Sequence, residues 1–175
     1  MVAIDFITAF GRLLRDGAMR DAFAANPRAL AAQLNLCASD CAALSQLIPA
    51  DLEFQAGVLI RKRLDSVRRI IPETCRLLGA ETWPTFHAYA RTSWPPREHS
   101  AAHDAHGFCR HLQHHQPNSL CEAELNRLRF VLSQDRFSIH FIRHKGKRNK
   151  SQPALQLILR FGRQRWREIT FYFRL

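Results

Sequence analysis

The chain has 175 residues, 46% of them hydrophobic, with only 7 glycines and a formal net charge of +11. Such a composition excludes a disordered polymer and allows one or two small domains with real cores. No apolar run reaches membrane-spanning length without a charge, and a pI near 10.5 asks for an acidic partner, either nucleic acid or an acidic protein surface.

Residues 4 to 92 read as helices with short joints. Ile4, Ile7, Phe10, Leu13 and Leu14 make one face, broken at Asp16-Gly17; Met19, Ala22 and Phe23 begin a second, ending at Asn26-Pro27. Pro27 suits the first turn of a third helix through Leu30 and Leu34. Ser39 is placed to cap a short helix holding Leu44 and Leu47, and Pro49 opens a longer one. On that helix Ile60, Leu64, Val67 and Ile71 share a stripe, with Arg61, Asp65 and Arg69 opposite them at pairing distance. Pro72 ends it, Gly79 ends the next, and Trp83-Pro84 opens another with Phe86 and Tyr89. Ser93-Trp94-Pro95-Pro96 is the strongest break and sets a domain boundary, leaving 1–95 helical and 96–118 as a His-rich connector.

Ser119 to Leu175 carries 13 Lys/Arg against 4 Asp/Glu, so this third of the chain holds nine of the eleven net charges. It reads as one helix and three strands. Ser119 and Glu122 form a capping-box pattern, and Cys121, Leu125, Leu128 and Leu132 make one apolar stripe behind it. Phe137, Ile139 and Phe141 alternate with Ser138 and His140. Leu155, Leu157, Leu159 and Phe161 alternate with Gln156, Ile158 and Arg160, and Ile169, Phe171, Phe173 and Leu175 with Thr170, Tyr172 and Arg174. Period 2 gives one buried and one wet face, and the helix stripe is expected to cover the Phe/Leu face. Gly162 to Arg165 makes a hairpin loop; His144 to Pro153 makes a longer basic one. The fold class is therefore α+β, an N-terminal helical bundle followed by a small helix-backed three-stranded antiparallel sheet.

The arrangement of residues in the helical half resembles a known family. Arg61-Lys62-Arg63-Leu64, Val67-Arg68, Ile71-Pro72 and Thr74, then Leu78-Gly79, Trp83-Pro84, Phe86 and Tyr89-Ala90, are similar to the C-component of methanobactin biosynthesis. Arg20, Phe23, Pro27 and Ala29, with Leu34 and Leu36, fit its opening helices, and Trp94-Pro95-Pro96, Asp104-Ala105 and Phe108 fit downstream. The resemblance implies a non-catalytic partner of a multinuclear non-haem iron enzyme, with the iron in the enzyme and no cofactor or metal site here. It further implies a helical N-terminal domain, and a C-terminal sheet that pairs with the leader of a ribosomally made precursor peptide whose cysteines become oxazolone–thioamide groups.

Other chemistry is thin. His99, His103 and His106 fall at 0, 4 and 7, followed by His111, His114 and His115, but no carboxylate–x–x–His pairing accompanies them. Five cysteines at irregular spacing fit no disulfide scaffold, and Cys37 and Cys41, one turn apart without a second pair, read as packing. A cytoplasmic chain with reduced thiols is the default. No glycine-rich phosphate loop, HExxH or GxSxG occurs. An open strand edge, in contrast, is a peptide-docking site. The expected peptide edge is Ile169, Thr170, Phe171, Tyr172, Phe173 and Arg174, because the first strand's edge is crowded by the preceding helix. The expected enzyme-docking surface is basic: Arg143, Lys145, Arg148, Arg160, Arg163 and Arg165. The alternative, a DNA- or RNA-binding regulator, would use the same charges with outward aromatics; if Phe171 and Phe173 face the helix, only Trp166 and Tyr172 remain for stacking.

Overall fold

A computed structural model describes residues 4–96, 100–145, 151–162 and 165–173, with backbone alone for His144, Lys145 and Ser151. Two compact units emerge, Met1–Asp65 with Trp83–Trp94, and Ser66–Thr82 with Pro95–Leu175. One crossing between them falls at Trp94–Pro95. The others fall inside helices, so Ser66–Thr82 belongs with the C-terminal unit.

The first unit holds α1 (Phe6–Arg15), α2 (Gly17–Ala25), α3 (Pro27–Gln33), α4 (Ala38–Ser45), most of α5 (Pro49–Ile70) and nearly all of α7 (Thr82–Thr92). Short polar side chains start three of them. Asp5, Asp16 and Asn26 accept from the N–H groups of Thr8, Met19 and Ala29 at 2.8, 3.1 and 3.0 Å. The α4 cap position is Cys37 rather than Ser39, and its side chain makes no cap bond. Ala9, Leu13, Phe23, Leu30, Ala31, Leu44 and Leu52 close one core. Gly17 is required there, because a Cβ would stand 2.9 Å from the Arg91 carbonyl oxygen. Arg91 in turn bonds Asp21 at 2.6 Å and Glu53 at 2.5 Å. The other Glu53 oxygen takes the buried Arg20 at 2.6 Å, so one carboxylate ties α2, α5 and α7 together.

The second unit contains α6 (Pro72–Leu78), α8 (Ser100–His115), α9 (Glu122–Leu132) and an antiparallel sheet of β1 (Phe137–Lys145), β2 (Ser151–Arg160) and β3 (Trp166–Tyr172), in the order β1-β2-β3. The α+β expectation holds, with β1 and β2 longer than the alternation indicates, reaching Lys145 and starting at Ser151; residues 146–150 of the expected basic loop lie outside the described residues. The capping box does not form. Ser119 sits in a separate 3-10 turn, α9 starts after Cys121, and Glu122 instead accepts from the Arg143 N–H at 3.1 Å. Glu124, almost wholly buried, reaches α6 and accepts from Glu73 and Thr74 N–H at 2.9 and 2.8 Å. It thereby caps a short helix whose flanking Ile71 has no side chain able to do so.

Burial lowers the pKa of His87, His106, His111 and His140 below the ordinary 6.5, with neighbouring cations adding to it. The unfolded chain therefore binds these protons first as the pH drops, and stability falls as pH passes below the unfolded value near 6.5. The thermal midpoint is expected to be lower at pH 5.5 than at pH 7.5, the loss levelling off once the folded histidines also protonate. A midpoint unchanged or raised at pH 5.5 would contradict this.

Candidate functional site

The sheet is clothed on the side opposite to the expectation. Helix α9 packs on β1 and β2, and the side chains beneath it are Ile142, Ala154, Gln156 and Ile158, all buried. Phe137, Ile139 and Phe141 are 64%, 55% and 83% exposed. Ile169, Phe171 and Phe173 are also exposed, so the larger apolar face is the open one.

The reason is chemical. Gln156 is completely buried yet fully used: its amide donates to Ala123 O at 2.9 Å and to Glu168 at 2.8 Å, and accepts from Asn126 at 3.3 Å. Glu168 takes Arg127 at 2.6 Å. This paired polar layer, beside buried Ala154, matches the face that α9 covers. Arg160 completes it. Its guanidinium donates to the carbonyls of Phe130, Ser133 and Asp135 at 2.6 to 2.9 Å and lies 4.8 Å from the Phe130 ring centroid. Its Nε and one Nη are thus held within the unit, and the side chain, expected among the docking residues, is partly exposed.

Register turns the open face into rows. Phe141 pairs with Leu155 and Leu155 with Phe171; Ile139 with Leu157 and Leu157 with Ile169; Phe137 with Leu159 and Leu159 with Arg167. Eight of these nine side chains are apolar. Arg143 and Arg165, both exposed, lie at opposite ends of the face, and a cleft lined by Phe161, Arg165, Trp166 and Arg167 closes the hairpin end. The open face is thus a contiguous, largely apolar surface.

The two edges differ. Phe173 N–H donates to Pro153 O at 3.1 Å and Phe161 N–H to Arg165 O at 2.7 Å, so along β3 the odd-numbered amides point to β2. The amides of Glu168 and Thr170 therefore point outward, and they have no partner among the described residues; that of Tyr172 points the same way. On β1 the outward amides are those of 137, 139, 141 and 143, and Arg143 is already taken by Glu122. Of the expected peptide edge, Ile169 to Tyr172 lie in β3, Phe173 follows it, and Arg174 falls outside the described residues. Of the docking set, Arg148 and Arg163 also fall outside them, and Lys145 is a β1 residue of undescribed side chain.

Elsewhere little chemistry is assembled. Among the described residues no group of three His, Cys, Asp or Glu side chains is placed to hold a metal ion; His99 lies outside them. Burial, with help from Glu124, pushes the Cys75 thiol up to about 11, and Cys109 and Cys121 are raised too. Cys41 is used in packing, its thiol near the carbonyls of Ala31 and Leu36. No helix among the described residues is long and apolar enough to cross a membrane.

Residues 47–114 match the family model of the SCO6045-like, C-terminal domain. That segment runs from the turn before α5 to nearly the end of α8 and stops short of the sheet. No curated protein and no solved structure matches the chain.

Proposed function

We propose that the chain is a non-catalytic binding subunit. It holds the leader of a ribosomally made precursor peptide along β3 and docks onto an iron-dependent oxidative enzyme that converts the peptide's cysteines to oxazolone–thioamide groups, in the making of a copper-chelating, methanobactin-like product. The observation that carries the reading is the β3 edge, whose outward amides at Glu168 and Thr170 adjoin an uncovered apolar face. An edge of this kind takes an extended peptide through main-chain hydrogen bonds.

Proline at position 170 removes one outward donor while sparing the ladder to β2, and edge strands tolerate proline. Thr170→Pro is expected to keep the far-ultraviolet circular dichroism of the parent and to lose leader binding in a titration. Unchanged affinity would remove β3 as the docking edge. Reconstitution tests the whole proposal: an iron-dependent oxidative enzyme of this kind and its precursor peptide should give modified peptide only when this chain is mixed with them. Modification by the enzyme without this chain, or by this chain alone, would contradict it.

A second reading, single-stranded nucleic acid binding, gains from the open face, because Phe137, Phe141 and Phe171 are available for base stacking. The middle row, Ile139–Leu157–Ile169, is aliphatic, and a stacking platform needs aromatic rings there. We expect only weak oligonucleotide binding that disappears near physiological salt, as charge attraction without stacking does. A tight complex that survives about 0.15 M salt would favour this second reading.

A further inference from the structure

The β3 edge offers more than backbone groups, because it is also where the rows of the open face stop. Arg167, Ile169 and Phe171 direct their amides to β2, so an incoming antiparallel strand meets them as non-hydrogen-bonded pairs. Those are the closer pairs, about 4.5 Å between Cα atoms rather than ~5.5 Å. On the β2 side Phe171 and Ile169 are flanked by Leu155 and Leu157, yet they remain 50% and 42% exposed. Arg167 is exposed and makes no ion pair among the described residues.

We propose that β3 selects an extended peptide carrying two apolar side chains at alternate positions and a carboxylate at the next alternate position, so that the guest continues all three rows as a fourth strand. This rests on the peptide reading above and adds the chemistry of the segment it takes. Direction sets the order. Because β3 runs from Arg167 to Phe171, an antiparallel guest meets Phe171 first, giving apolar–x–apolar–x–acidic from its N-terminus. The x positions fall beside Thr170 and Glu168 on the side that α9 covers, where Glu168 is held by Arg127; small polar residues suit them. Charge favours the same guest, since Ser119 to Leu175 carries 13 basic against 4 acidic residues. A second copy of this chain would bring the same positive excess to the edge. It would also need about 800 Å² per side, whereas the open face, roughly 14 by 20 Å from strand spacings, offers about 300 Å².

Three capped nine-residue probes test this by fluorescence anisotropy on the full chain. Their central residues are Ile-Thr-Ile-Thr-Glu, Ser-Thr-Ser-Thr-Glu and Ile-Thr-Ile-Thr-Lys, with Thr/Ser flanks. Cross-strand pairs of these kinds predict that the serine and lysine probes bind about tenfold more weakly than the first. In Phe171→Ser the gap between the first two probes should shrink to about threefold or less, and Arg167→Glu should reverse the preference between glutamate and lysine. Equal binding of the isoleucine and serine probes, with Thr170→Pro abolishing both, would overturn the row-completing guest and leave the edge in place. Undiminished binding to Thr170→Pro would overturn the edge itself. Failure of every probe to bind, or a random single-stranded oligonucleotide outcompeting the first probe at about 0.15 M salt, would overturn the proposal too.

Discussion

Serine in place of Ile158 is expected to lower stability by about 3–4 kcal/mol, while serine in place of Ile139 changes it by less than about 0.5 kcal/mol. Both are isoleucines in paired strands of one small sheet. Ile158 is wholly buried beneath α9, so its loss opens a cavity and places a hydroxyl in it. Ile139 is 55% exposed on the open face, where serine gives up little packing. Simple alternation assigns the two positions the other way round, with Ile139 in the core and Ile158 in water. Urea unfolding of the two variants therefore decides which face α9 covers. A larger loss for Ile139→Ser than for Ile158→Ser would restore the conventional arrangement.

Glu124→Ala is expected to cost about 2–4 kcal/mol, because it strips the acceptors from two α6 amides, one of them on fully buried Thr74. Glutamine retains one acceptor oxygen and should recover part of the loss. A second readout separates the charge from the packing. Glu124 adds to burial in holding the Cys75 thiol at about 11, so Glu124→Gln should bring that thiol back toward its ordinary 9 and speed its reaction with iodoacetamide. A loss under about 0.5 kcal/mol for Glu124→Ala would mean that solvent or another group caps α6.

Most of the architecture was legible because it rests on local chemistry. Asp16-Gly17 and the prolines mark the joints, and strict alternation marks the strands; that Asp5, Asp16 and Asn26 cap the helices is seen only in the structure. What misled was the amount of apolar surface. The Phe137–Ile139–Phe141 side is greasier, and counting hydrophobic side chains puts it inside. The covered face was chosen instead by polar pairing across α9 and the sheet, Asn126 with Gln156 and Arg127 with Glu168, a tertiary match between residues about 30 and 41 positions apart. A signal was present: Gln156 lies mid-strand between leucines, and Asn126 and Arg127 stand beside the Leu125–Leu128 stripe with amide and guanidinium groups to pair. Glu122 shows the same limit. Its spacing from Ser119 spells a capping box, yet the β1 amide of Arg143 wins its carboxylate.

The β3 edge was legible as soon as three strands and one hairpin were recognised. Which amides face outward was not, since that depends on the odd–even phase of the ladder, fixed by the Phe161–Arg165 and Phe173–Pro153 bonds. Amide hydrogen exchange on the full chain, with and without the Ile-Thr-Ile-Thr-Glu probe, is the decisive measurement. New protection is expected at Glu168 and Thr170, with little change at Ile139 and Phe141. Protection confined to the β1 amides, or none on β3 with the probe bound, would contradict β3 as the docking edge.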